Sequence, residues 1–474
     1  MGLAEPRRLM PRRRLLGAAG SFAALLAACG SGADGSLPPL NDQQREILDS
    51  VGAISSDQIE LVADYLADQT VKLGYVQSPW GGRNEHYRNL AIGANSWQEI
   101  YPRIRDDRVL INQAEGLGVA ETLSTLSNEA RPDLLLFPGR DLAELNRAGL
   151  LIELDKAGGV ESLLRPGEYW GRTLAAGSVR GRQLAIPLML GPWMMMCQLD
   201  LLSTVGVDPP IDRPWDIRQF LTNVARLTNP SSNPTERGAF GFMQLVSTNA
   251  NSDSMPPSWI WMLAMGADLP GLDDGEERLQ SAEALAAYEL IYALVHDQRS
   301  AIKFDGVGGR SLRNTLFENA NAMVSYPFNS GWLSQFWRGR EEPVSLAHLP
   351  AGPGHYTPVE MHMMLGVLTS ARDQEAAIAS MQAIARTAGD SVFPTARRSD
   401  VTKITALQPR ITREDVDFMD QALSEAEPVM LPGQERSIMR RNIDLPLMVG
   451  RENPESAASA AFAALSEHRF NRGQ

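Results

Sequence analysis

The run Leu134-Leu135-Leu136-Phe137 constrains the fold of this chain more than any other feature. Every residue in it is apolar, so a strand there must be covered on both faces, as in a parallel sheet flanked by helices. Pro132-Asp133 leads into the run and Pro138-Gly139 turns the chain out of it, with Asp141 placed to cap a helix reaching Ala148. The same alternation continues on either side. Residues 71–76, 109–111, 184–188, 240–243, 321–326 and 365–368 read as strands, and 96–104, 119–130, 217–227, 258–265, 282–295, 374–387 and 454–468 as helices. Alternating strands and helices predict an α/β architecture whose ligands lie beyond the carboxyl ends of the strands. That places residues 77–80 and 138–141 beside a cleft. Pro187 argues that 184–188 is an extended crossover and not a central strand.

At 474 residues the chain exceeds one simple core and predicts two lobes. A formal net charge of −13 speaks against nucleic acid as a partner and against a protein lying flat on anionic lipid. With two cysteines there is no disulfide framework. The N-terminus carries its own signal. Arg7, Arg8, Arg12, Arg13 and Arg14 precede an Ala/Gly-rich apolar run, 15–28, that is short for a bilayer span and has the flanks of a secretory leader. It ends in Leu26-Ala27-Ala28-Cys29, which matches a bacterial lipobox, so residues 1–28 read as a lipoprotein signal and Cys29 as the lipidated residue. Residues 11–16 also resemble a twin-arginine export signal, and Met10 is an alternative start. Residues 29–40, polar and rich in Gly and Pro, read as a tether, and 41–70 as a helical extension.

The order of later segments resembles the extracellular solute-binding proteins of bacterial ABC importers, the carbohydrate-type family that includes maltose-binding protein. Residues 131–137 look like that family's Pro-Asp-apolar strand, and 141–155 (DLAELNRAGLLIELD) match the helix and turn that follow it. Residues 180–187 resemble its crossing between lobes, and 199–216 its block leading into the second lobe. Residues 281–292, 317–323 and the LPAGPG loop at 349–354 resemble further family segments. Departures are Asn319 and Asn321 where a glycine is usual, and His355 to Glu360 where a glycine-rich stretch is usual. The resemblance implies a two-lobe, periplasmic-binding-protein-like (type II) α/β fold with an interlobe ligand cleft and hinge. The first lobe is expected at 71–185 with 360–397, and the second at 186–359 with 398–474. It also implies a monomer that binds a small solute such as a sugar, needs no cofactor or metal, performs no covalent chemistry and hands its ligand to importer permease subunits.

Sugar sites combine aromatic faces for the C–H side of a ring with forked polar groups for its hydroxyls. Strand ends and resemblance together nominate Trp80, Arg140, Trp193, Trp259, Tyr326, Trp332 and Glu360. Trp97 and Trp215 read as packing. Trp261 is two residues from Trp259 on one helix, so the two rings cannot both face one ligand. Within the same fold, the ligand alternatives are a polyol phosphate, a polyamine or a peptide, an acidic cleft favouring a polyamine and an Arg-rich one an anion. A sensory receptor is a further alternative, and an extracytoplasmic glycan-acting enzyme is the alternative from another class. Gly389-Asp390-Ser391 lacks a histidine partner for hydrolase chemistry, and 306–310 lacks the spacing of a nucleotide fingerprint. His355, Glu360 and His362 match no zinc spacing. Cys197 reads as a small buried hydrophobe, and Met194-Met195-Met196 as adaptable core.

Overall fold

Strand β3 (Leu134–Phe137) is buried on every residue, and its side chains divide between two cores. Leu134 and Leu136 join Val71, Leu73 and Leu163 on one face, while Leu135 and Phe137 join Val76, Leu142 and Leu145 on the other. The double covering demanded by the apolar run is therefore met. The structure is a computed structural model describing residues 71–76, 104–106, 118–128, 130–229, 240–244, 256–270, 275–297, 321–327, 344–352, 357–387, 395–398 and 412–473. The leader, Cys29, the tether, the 41–70 extension, Trp80, Trp97, Trp332, His355 and the strand expected at 109–111 lie outside the described residues.

The main sheet runs in the order β2 (Ile104–Asp106), β1 (Val71–Tyr75), β3, β10 (Thr357–Val367), β6 (Ile186–Gln198), β8 (Asn321–Pro327) and β7 (Phe240–Gln244). Strand β11 (Ala426–Val429) joins β10, and β9 (Val344–Ala347) joins β6. Pairing is parallel for β1 with β2 and β3, for β7 with β8 and for β10 with β11. Strand β10 is antiparallel to β3 and β6, and β6 to β8 and β9. A small hairpin of β4 (Ser178–Val179) and β5 (Arg182–Gln183) stands apart.

The helices follow as α1 (Val119–Thr125), α2 (Leu142–Arg147), α3 (Leu199–Thr204), α4 (Ile217–Leu227), α5 (Pro257–Ala264) and α6 (Ala282–Tyr292). Then come α7 (Gln374–Thr387), α8 (Arg413–Ser424), α9 (Gly433–Met439), α10 (Leu445–Val449) and α11 (Pro454–Gly473). Local chemistry accounts for several of them. The Asp216 carboxylate accepts from the Gln219 N–H at 2.7 Å to start α4, whose buried Phe220, Val224 and Leu227 make one apolar stripe. Thr412 and Asp415 form a reciprocal capping box on α8.

Strands β6 and β10 are the crossings. Each is long, 13 and 11 residues, and each passes from one core to another. Along β6, Ile186, Leu188 and Met189 pack beside Leu134 and Leu136, and Leu190, Met194 and Met196 pack with Leu135 and Phe137. Trp193, Met195 and Cys197 face a further core built with Phe220, Phe242, Trp261 and Tyr288. The methionine cluster is core, as its composition suggests. Burial pushes the Cys197 thiol up to about 12, so it behaves as a small hydrophobe.

Four expectations need correction. Residues 184–188 are expected to be an extended crossover and not a central strand, yet Ile186 and Pro187 begin β6, which is a crossing and also lies in the middle of the sheet. Pro187 pairs with Met364 at the edge of a register irregularity, where the ladder is already interrupted. Asp141 makes no side-chain cap. A 3₁₀ turn, Gly139–Asp141, runs straight into α2, so Asp141 is already helical in backbone and its carboxylate turns towards Arg140 at 3.8 Å. Ile104, expected at a helix end, lies in β2. The helix expected to reach Val295 becomes a π turn after Tyr292.

Candidate functional site

A cavity of about 420 Å³ opens between the cores. One wall is the turn Thr173–Gly177 with Arg172 and Ser178 at its ends, the second is α5 and the loop after it, and the third is Glu427, Pro428 and Met430 on and beyond β11. The walls come from segments more than 80 residues apart in sequence, which is the arrangement expected of an interlobe cleft.

Trp259 on α5 supplies the aromatic surface. Pro256-Pro257 starts this helix, with Pro257 at its first position, and all of its residues are buried. Trp259 is 1% exposed and lines the cavity, and its indole Nε1–H has no hydrogen-bond partner among the described residues. A buried, unpaired indole N–H beside a cavity suits an acceptor brought by a ligand. Trp261, on the other side of α5, packs 5.8 Å from Phe220 and 6.0 Å from Phe242, and Trp215 lies 6.5 Å from Phe220. Of the two tryptophans on α5, Trp259 is among the residues lining the cavity and Trp261 is not.

Among the described residues the charged groups of the wall balance. Arg172 and Arg278 line the cavity with Asp268 and Glu427. Arg172 Nη1 lies 3.3 Å from Glu427 Oε2, and Arg278 Nη1–H donates to the Leu269 carbonyl at 2.7 Å. Burial pushes the Glu427 carboxyl above the usual range; Arg172 opposes this and Asp268 adds to it. Gly171 fixes this corner. Its φ is +43°, and a Cβ there would sit 2.5 Å from the Ala426 carbonyl oxygen, so only glycine lets Arg172 N–H reach that oxygen at 3.2 Å. The LPAGPG loop takes part as well: Gly352 N–H donates to Ala264 O at 2.8 Å and holds the end of α5.

The other nominated residues are spread out. Arg140 is nearly buried, beside Asp141. Its turn is one side chain removed from the cavity, since a Cβ on Gly139 would lie 3.2 Å from the sulfur of Met430. Trp193 does not line the cavity; it lies in the core with Met195 and borders a void of about 10 Å³ with His348 and Phe418. Glu360 is likewise absent from the cavity wall, because its carboxylate is buried and bonded at 2.8 Å to Arg436. Tyr326 sits on β8 opposite Met194. Glu427, Asp268 and Arg172, which the sequence did not single out, are brought to the wall by β11, by the loop after α5 and by the turn Thr173–Gly177. No local pattern marks them. Among the described residues there is no cluster of three or more His, Cys, Asp or Glu suited to a metal, and no helix is long and apolar enough to cross a membrane.

Beneath the start of α5 lies Asp444, fully buried at the end of a π turn, Arg440–Asp444. Burial pushes its carboxyl up to about 6, against the pull of Ser258 and Arg440. Between roughly pH 4 and pH 6 the folded chain therefore binds more protons at this site than the unfolded chain does. Its contribution to stability rises as pH falls through that window and is least above it. Urea titrations of the wild type and Asp444→Asn are expected to show the wild type gaining roughly 2 kcal/mol on the variant between pH 7 and pH 4.

No family model matches the sequence, and no curated protein matches it. Solved structures do. The GacH receptor of Streptomyces glaucescens, determined unliganded and with acarbose, superposes with a TM-score of 0.61 at 16% identity, over 84% of this chain and 98% of that one. An ABC substrate-binding protein of Listeria monocytogenes in complex with cycloalternan gives 0.63 at 15%, over 85% and 99%. The sugar-binding protein MalE of Xanthomonas citri gives 0.66 at 14%, over 85% and 98%. Nearly the whole of each of those chains is matched, so this chain has the two-lobe α/β fold of the type II periplasmic binding proteins.

Proposed function

We propose that this chain is an extracytoplasmic receptor that takes a neutral saccharide into the cleft beside Trp259 and delivers it to an ABC importer. The observation that carries this reading is the buried Trp259 at the cavity wall, whose indole N–H has no partner among the described residues. An aromatic face suits the C–H side of a sugar ring, and the N–H suits a hydroxyl oxygen. Among the described residues, the wall's two arginines are matched by two carboxylates, which favours a neutral polyhydroxylated ligand over a polyamine or a phosphate. Structures of the same fold solved with acarbose and cycloalternan support the same class. In this reading the lobes, 71–185 with 360–397 and 186–359 with 398–474, close about β6 and β10. Differential contacts with the closed form drive closure, and the closed monomer meets the permease subunits without performing catalysis. Cleavage before Cys29 and acylation there would keep it at the cell surface, exported through the general or the twin-arginine route.

Thermal-shift measurement on the chain lacking residues 1–29 tests this against mono- and oligosaccharides, polyols, polyamines and phosphorylated solutes. A saccharide at 100 times its Kd adds about 2.7 kcal/mol, a shift of a few degrees. A shift with charged solutes and none with any saccharide would overturn the saccharide reading.

A further inference from the structure

Helix α5 begins without a cap of its own. Its N-cap residue is Pro256, which has no side-chain acceptor, and its first residue, Pro257, has no N–H. Trp259 N–H closes a tight turn onto Pro256 O at 3.1 Å. Ser258 N–H is thus the first donor of the helix, and it is buried. It donates at 2.9 Å to Asp444 Oδ1, from a residue 186 positions further along the chain.

We infer that Asp444 is a positioning residue for the ligand site: it caps α5 from a distant segment and thereby sets Trp259 against the cleft. The π turn is what aims it there, because the turn's wider winding departs from the helical register of α9 before α10 begins. A carboxylate also suits the positive end of the α5 dipole. Removing the acceptor leaves a buried N–H orphaned one residue before the cleft indole. Arg440 on the same turn and Tyr288 on α6 interact electrostatically with this carboxylate, while α11 adds Ala457, Ala458 and Ala461 to the same core. The consequence for binding rests on the proposed saccharide site; the positioning itself does not.

The test therefore needs no ligand. The chain is labelled with 5-fluorotryptophan, and Trp259 is assigned in the ¹⁹F spectrum by its loss in Trp259→Phe. Amide exchange is followed in peptides covering 256–264, with 374–387 as the internal reference. Asp444→Ala is expected to displace or broaden the Trp259 resonance and to speed exchange in 256–264 at least tenfold relative to 374–387. Asp444→Asn, which keeps an acceptor oxygen, restores both. Adding Pro256→Ser to Asp444→Ala supplies a local cap and restores them too. If Asp444→Ala does not fold, recovery of a folded chain with a native Trp259 resonance in that double variant supports the inference. Its failure to fold overturns it. A native resonance and native exchange in Asp444→Ala, or an Asp444→Asn variant as perturbed as Asp444→Ala, also overturns it. Titration of the wild type with maltotetraose, read by the same resonance, reports separately on the saccharide reading.

Discussion

Replacing Arg469 by alanine is expected to lower the unfolding free energy by about 3–5 kcal/mol, measured by urea denaturation at pH 7. Arg469, near the end of α11, donates from Nη2 and Nε to the two carboxylate oxygens of Glu435 at 2.8 and 3.3 Å, and from Nη1 to Glu276 at 2.9 Å. Glu435 is wholly buried. Burial works against the guanidinium charge, but the hydrogen bonds and charges of Glu435 and Glu276 outweigh it and hold the arginine cationic. Most of the expected loss is the cost of leaving the buried Glu435 charge without this guanidinium, not the net worth of the ion pair. Neutralising that charge should therefore recover part of it: Arg469→Ala with Glu435→Gln is expected to be more stable than Arg469→Ala alone. Strictly additive effects of the two substitutions would show that the residues are not coupled.

Trp259→Ala is expected to weaken binding of the saccharide identified by the thermal-shift panel by at least 100-fold, about 3 kcal/mol, read by isothermal titration calorimetry. Trp259→Phe keeps an apolar face and loses only the N–H donor, so a drop of about 5- to 10-fold is expected. Trp261→Phe is the control. That ring belongs to the Phe220–Phe242 aromatic core, so its replacement costs stability and leaves Kd within about twofold. An unchanged Kd in Trp259→Ala would remove the cleft aromatic from the ligand site. Because Trp259 is itself buried, the alanine variant also loses about 3–5 kcal/mol of stability, and binding is compared at a temperature where each variant is folded.

The parts of this protein that the sequence determined are those whose physics is local. An all-apolar run between turn residues had to be a doubly buried strand, and β3 is one. Helices α4 and α7 fall where periodicity placed them, at 217–227 and 374–387, because an amphipathic stripe and a capping aspartate are written in consecutive residues. The spacing of Trp259 and Trp261 places the two rings on different sides of α5, and Trp259 alone of the pair is among the residues lining the cavity. Trp259 is nominated together with Trp80, Trp193 and Trp332, by strand ends and resemblance and not by periodicity.

Tertiary structure decided the rest. Strands β6 and β10 are continuous crossings although prolines punctuate both, because pairing with β3, β8 and β11 stabilises extended backbone that local propensity disfavours. Strand β11, too short and mixed to stand out as a sequence, exists through its parallel pairing with residues 357–360 of β10, and it carries Glu427 to the cleft. Glu360 was nominated as a forked polar ligand group, yet Arg436, 76 residues away, takes its carboxylate into the core. Whether a charged side chain meets a ligand or a buried partner depends on which distant segment arrives beside it. That is a property of long-range packing, and hydrophobic periodicity, which repeats every two to four residues, does not encode it.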